Sequence, residues 1–290
     1  MKKLLLLCSI MLLGTIQYSY AQNQQEFIET VELNRKTNSL VFKDILKHIY
    51  AQPLMGAQKY ESDENFKPYP KTIFYDVAAQ EQQLVLMHPV VVYKNANNEI
   101  RYFILMEKLH LDGNGYPKMC NACSAKADFL IFKRQLDDSF YLINYQLNAD
   151  DLPGGAGRLK LDLKQIKQHL QPIGKDLIGS YFIGHYTGAG GEAGSEWYNL
   201  FLPDKGKIQV VDIGLAGNDS RSFYADRPEY SSVTTSTLKV VPNDQAYYPV
   251  EVTYQTLDGA KEKPVVEKSR FIFDVKTNAY IEQKIKSINN

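Results

Sequence analysis

The 290-residue chain is poor in cysteine, with 3, and has no excess of charge, since 33 Lys and Arg face 33 Asp and Glu. A balance of this kind excludes the basic footprint of a protein that binds nucleic acid or anionic lipid. Cys8 falls in an N-terminal apolar run, so only Cys120 and Cys123 remain for the folded protein. Long apolar runs are also missing beyond the N-terminus. The longest stretch, Leu84 to Tyr93, is interrupted by His88-Pro89 and falls short of the roughly 20 residues that cross a bilayer. No internal repeat of fixed period and no low-complexity tract is present.

What is there begins with Lys2 and Lys3, the apolar run Leu4 to Leu13, and a polar stretch ending Tyr18-Ser19-Tyr20-Ala21. Small residues at 19 and 21 mark this as a secretory signal peptide cut between Ala21 and Gln22. A membrane anchor would need about twice the apolar length. The four leucines ahead of Cys8 leave no small residue for a lipoprotein signal. The product expected is soluble, periplasmic or secreted, with a small acidic excess once Lys2 and Lys3 are gone. Tyrosine is abundant, at 20 residues. Its ring favours strands while its hydroxyl seeks water, which suits a tyrosine-rich sheet or a tyrosine-lined binding face.

The pattern predicts a mainly β fold with minor α: antiparallel strands in a curved sheet, sandwich or open barrel, with two helices. Asn38 and Ser39 cap an amphipathic helix carrying Val41, Ile45, Leu46 and Ile49. Residues 53–71 read as a surface connection. The stretches 84–93 and 99–111 form one long hairpin across Lys94 to Asn98, and 127–134 with 140–147 form a second. Residues 22–150 thus make a helix and hairpin region bearing the Cys-x-x-Cys pair. A Gly-rich linker and short helix follow at 151–176, with Asp162 as cap. Antiparallel β structure fills 177–290, with strands expected near 178–186, 196–202, 207–213, 221–225, 232–241, 247–256, 265–273 and 278–286.

Cys120 and Cys123 lie in an exported chain, so a disulfide is the default state. A structural clip competes with a redox centre and with a zinc site. The redox centre wants a helix start to stabilise thiolate, but strands are expected on both sides. A zinc site needs two more ligands than His110 can supply, and Ser124 stands where haem attachment needs histidine. No motif implies a cofactor or a resident metal. The run from Gly184 to Ser195 lacks the lysine of a phosphate-binding loop, and strand rather than helix follows it. It reads as a hairpin loop in which glycine supplies positive φ. The candidate contact residues are His185, Tyr186, Glu192, Glu196 and Trp197, which cluster around it. The Asp112-Gly113-Asn114-Gly115 stretch lacks the remaining oxygens of a calcium loop and reads as a turn.

Cys120-Asn121-Ala122-Cys123 followed by the 129–133 strand resembles a pattern in uncharacterised exported bacterial proteins, where a Cys-x-Ala-Cys element precedes a strand and a later Gly-rich segment. The resemblance spans about 119–202 and implies a recurrent β scaffold without implying a reaction. Export, neutral charge and the missing catalytic signature lead to a non-catalytic binding protein of the bacterial envelope. Its partner would be a protein or an envelope ligand, with an immunity or inhibitor role as one version. The alternative is an envelope thiol–disulfide oxidoreductase using Cys120 and Cys123. A glycan hydrolase using Glu192 and Glu196 ranks last.

Overall fold

The computed structural model describes residues 36–49, 66, 69–76, 81–118, 120, 123–150, 152–188, 192–261 and 263–285. The signal segment with its Ala21–Gln22 junction, and most of the 53–71 connection, lie outside them. The first sheet contains β1 (Lys36–Thr37), β2 (Lys71–Asp76), β3 (Glu81–Met87), β4 (Val91–Lys94), β5 (Ile100–His110), β6 (Lys126–Arg134) and β7 (Phe140–Ala149). Its order is β1-β7-β6-β5-β3-β2, with β4 also on β5. Helix α1 (Phe42–Ile49) begins behind Ser39, whose Oγ accepts the Val41 N–H at 3.3 Å. The expected first hairpin is therefore broken on one side. The His88 N–H still donates to Leu105 O at 2.9 Å, but Pro89 offers no N–H, so the chain leaves the ladder there and rejoins the same long β5 at Val91. The strand β2 has no counterpart in the sequence expectation.

A small hairpin, β8 (Gly154–Gly155) and β9 (Arg158–Leu159), leads to helix α2 (Leu163–Gln168). The Asp162 carboxylate caps this helix, accepting the Lys164 and Gln165 N–H groups. The second sheet then runs as a meander in chain order: β10 (Gln171–Gly174), β11 (Leu177–Thr187), β12 (Ala193–Phe201), β13 (Gln209–Asp219), β14 (Ser232–Val240), β15 (Val250–Asp258), β16 (Val265–Asp274) and β17 (Ala279–Lys284). This sheet curls into a half-barrel. Asn199 on β12 reaches across its interior, donating to the Tyr280 hydroxyl on β17 at 2.5 Å. The strand expected near 221–225 is instead a turn. Asp219 Oδ1 accepts the Arg221 N–H, and the Phe223 and Tyr224 N–H groups bond back to Ser220 O. These local bonds take the groups a ladder would have used.

β5 and β6 are apolar on both faces because both faces are covered. Phe103, Leu105, Phe129 and Ile131 meet Phe182 and Leu200 of the second sheet. Ile104, Met106, Leu130 and Phe132 meet Ile45 and Leu46 of α1. Each such side chain contributes roughly 1.5–3 kcal/mol when fully buried. The half-barrel interior has its own core, with Trp197, Ile213, Val252 and Phe271.

Charged groups interrupt these apolar faces at three places, and each one links separate elements. Lys108 on β5 pairs with Asp128 on β6 at 2.6 Å. The Arg101 fork grips Asp204 in the β12–β13 turn at 2.8 and 2.6 Å, joining the two sheets. Glu107, with no exposed surface, sits among Leu105 and Leu109. It accepts from Arg158 at 2.8 and 2.9 Å and from the Leu159 N–H at 2.8 Å, and it meets His88 Nε2 at 2.9 Å. Burial pushes its carboxyl up, but the bonds from His88 and Arg158 and the Arg158 charge outweigh that and hold it at about 2.

The folded carboxyl thus titrates below its unfolded counterpart near 4.5. Its contribution is complete above that value and is lost as pH falls towards 2. A shift of this size corresponds to about 3 kcal/mol. Urea titrations at pH 7 and pH 3 are expected to show about 2 kcal/mol of this loss in the wild type, since pH 3 lies between the two pKa values, and a smaller pH dependence in Glu107→Gln. An equal acid sensitivity in both would contradict the role given to Glu107.

Candidate functional site

The candidate site forms where the 152–169 segment crosses β11 and β12. Its position is set from two sides. On one, Glu107 holds Arg158 and Leu159. On the other, the Gly157 N–H donates to Cys123 O at 2.9 Å and Ser124 Oγ donates to Leu152 O at 3.2 Å. Ala156 and Gly157 turn the hairpin with φ of 53° and 74°. Gly154 permits close approach, since a Cβ there would lie 2.1 Å from Ser124 Oγ. Helix α2 is tied down by Ser180 Oγ, which donates to Ile166 O at 2.7 Å.

Between this segment and β11–β12 lie two adjoining cavities of about 410 and 310 Å³. Lys160, His185 and Tyr186 border both. Lys160 Nζ donates to His185 O at 2.7 Å. Glu196 and Tyr198 border the smaller cavity, and Tyr198 donates to Glu196 Oε2 at 2.5 Å. Burial, then this bond, pushes the Tyr198 phenol up. Asp212, opposite Tyr198 on β13, is raised by burial and then by the Glu196 charge. Tyr186 is raised by burial and then by the charges of Glu196 and Glu192.

Of the five candidate residues, His185, Tyr186 and Glu196 come together at these cavities. Glu192 stands at the hairpin mouth, where Asn218 Nδ2 donates to its Oε1 at 2.8 Å. Both glutamates therefore accept hydrogen bonds from neighbouring side chains. Trp197 does not belong to the surface. It is 6% exposed, points into the half-barrel and donates its indole N–H to Ser236 Oγ at 2.8 Å.

Gly190 and Gly191 of the expected hairpin loop lie outside the described residues, but two glycines of the run have a different purpose. Gly184 and Gly194 lie in regular strands. A Cβ at 184 would sit 2.8 Å from the Tyr198 ring, and one at 194 would sit 2.2 Å from the Tyr186 ring. Glycine here makes room for tyrosines laid across the sheet, and positive φ is not required. Pattern reading missed Lys160 and Gln165 because each is an isolated polar residue; only the Asp162 cap signalled that a helix would begin beside them.

Cys120 and Cys123 are joined in a disulfide and both are exposed. The next element is β6, and among the described residues no helix start lies at the pair to stabilise a thiolate. Its backbone instead supports the hairpin through Cys123 O. Asp112 Oδ1 accepts the Asn114 and Tyr116 N–H groups, as a turn requires. Among the described residues no group of three or more His, Cys, Asp or Glu could hold a metal ion, and no helix is long and apolar enough to cross a membrane. Comparison of the chain with protein-family models, with curated proteins and with solved structures finds no match.

A bridge closing so short a loop contributes at the low end of the usual range, about 2 kcal/mol or less. The Cys120→Ser/Cys123→Ser variant is expected to unfold in urea with a loss no larger than that. A loss of 4 kcal/mol or more would mean that the bridge supports far more than the hairpin.

Proposed function

We propose that this chain is an exported, non-catalytic binding protein of the bacterial envelope whose ligand or partner seats at the paired cavities beside β11. The observation that carries the reading is the convergence of Lys160, His185 and Tyr186 on both cavities. His185 is exposed and Tyr186 is 43% exposed, so each presents a polar tip at an open rim. Tyrosine in such a position supplies a rigid amphipathic contact. The carboxylates that could act as acid and base are engaged by Tyr198 and Asn218. An immunity or inhibitor role against a toxin acting in the envelope is the concrete version, with a protein partner in place of a small ligand.

The exposure of both cysteines favours a second reading, thiol–disulfide exchange. A reduction potential of about −120 to −230 mV would support it, whereas a value below about −300 mV marks a structural bridge.

Quantitative capture from periplasmic extract tests the first reading. The immobilised wild type is expected to retain a bound species that His185→Ala/Tyr186→Ala loses by about tenfold or more, a difference of roughly 1.4 kcal/mol. Tyr116→Ala, in the 112–116 turn, is expected to retain it. Equal recovery by the double variant would remove the cavities from the binding surface. Trp197→Ala is expected to act through stability, costing about 3–5 kcal/mol as a core truncation. Unchanged stability in that variant would contradict the burial of the indole.

A further inference from the structure

β11 outruns the strand beside it. β10 pairs only with its first residues, Gln171 opposite Gly179 and Gly174 opposite Leu177. From Tyr181 to Thr187 the other side of β11 is therefore a sheet edge. The phase of that edge follows from one bond, Leu202 N–H to Ile178 O at 3.0 Å. In an antiparallel ladder alternate residues bond the same neighbour, so residues 178, 180, 182, 184 and 186 serve β12. Tyr181, Ile183, His185 and Thr187 turn their main-chain groups the other way.

Three side chains from the 160–169 segment meet those groups at two-residue intervals. His169 Nδ1 lies 3.0 Å from Tyr181 O, Gln165 Oε1 accepts the Ile183 N–H at 3.1 Å, and Lys160 Nζ donates to His185 O at 2.7 Å. The His185 N–H and both main-chain groups of Thr187 have no partner among the described residues. The larger cavity, about 410 Å³, runs along this edge, with Lys160, Asp162 and Gln165 on one wall and Ile183, His185 and Thr187 on the other.

We propose that this edge receives an extended segment of a partner polypeptide, which adds a strand to the half-barrel and places an acidic side chain against Lys160. The inference rests on the binding reading above and specifies its partner. Main-chain groups of an added strand recur at the two-residue spacing that Gln165 and Lys160 now match with side chains. An incoming N–H and C=O can replace those bonds one for one, which leaves no buried group unpaired. The charge follows from what is already engaged. Asp162 is taken by the Lys164 N–H, the Gln165 N–H and Gln165 Nε2, whereas the acceptor of the Lys160 ammonium is a neutral carbonyl. A carboxylate on the partner would complement it.

The test selects peptides from a random dodecapeptide library displayed on phage, then titrates the best synthetic peptide into the protein by calorimetry. Selected peptides are expected to be rich in β-branched residues and to carry Asp or Glu. N-methylation of alternate peptide nitrogens, or Thr187→Pro in the protein, is expected to weaken binding at least tenfold. Lys160→Gln is expected to weaken it about threefold or more, with a reduced salt dependence. Slowed amide exchange at His185 and Thr187 in the wild-type complex gives the same reading should Thr187→Pro fail to fold. Failure to select any peptide would overturn the proposal, as would binding indifferent to N-methylation and to Thr187→Pro. A folded partner or small molecule lost in His185→Ala/Tyr186→Ala but kept in Thr187→Pro would leave the binding reading standing and remove strand addition. A dimer of this chain abolished by Thr187→Pro would replace the foreign segment by a second copy.

Discussion

The arrangement of the molecule depends on a carboxylate with no access to water. Glu107 stands on the face of β5 that is otherwise Phe103, Leu105 and Leu109, and burying it is costly unless every oxygen is engaged. The fold meets that requirement by bringing two separate segments to it: His88 from the β3–β4 break, and Arg158 and the Leu159 N–H from the β8–β9 hairpin. The first sheet, the hairpin and the edge of the half-barrel are therefore positioned by a single polar node inside an apolar layer. Arg158 also lies over the Phe66 ring, its Cζ 5.1 Å from the centroid, so one face of the guanidinium is covered as well as paired.

The same device recurs where the sheets would otherwise slide. Arg101 and Asp204 form a two-pronged bond between the β5 end and the β12–β13 turn, and Asn144 donates to Pro203 O and Gly206 O in that turn. Apolar contacts between Phe129, Phe182 and Leu200 supply the attraction between the sheets but little direction. The directional bonds select one docking. The paired cavities follow from it, because the hairpin that walls them is anchored on Glu107 and on the chain around Cys123.

Local signals were readable where one residue's chemistry settles one element. Asp162 announced α2, Asn38-Ser39 announced α1, and Asp112-Gly113 announced a turn. The antiparallel character and the chain order of most strands after 177 were legible from alternation and turn residues. The stretch 221–225 reads as strand because Phe223 and Tyr224 look like β residues, while the bonds to Ser220 and Asp219 that decide the matter are specific to the folded loop. Trp197 reads as a surface residue for a related reason. Alternation says that neighbours face opposite sides, but which side is solvent depends on how the sheet curls.

Composition and order along the chain determined that this protein is mainly antiparallel β with two short helices, because periodicity and turn chemistry are local properties. Only the tertiary structure decided that Lys160, Gln165 and His169 would meet the edge of β11, and that Gly184 and Gly194 would serve tyrosines rather than a flexible loop. Those outcomes depend on contacts between segments far apart in sequence, and on which oxygens and nitrogens are left over once each strand has found its neighbour.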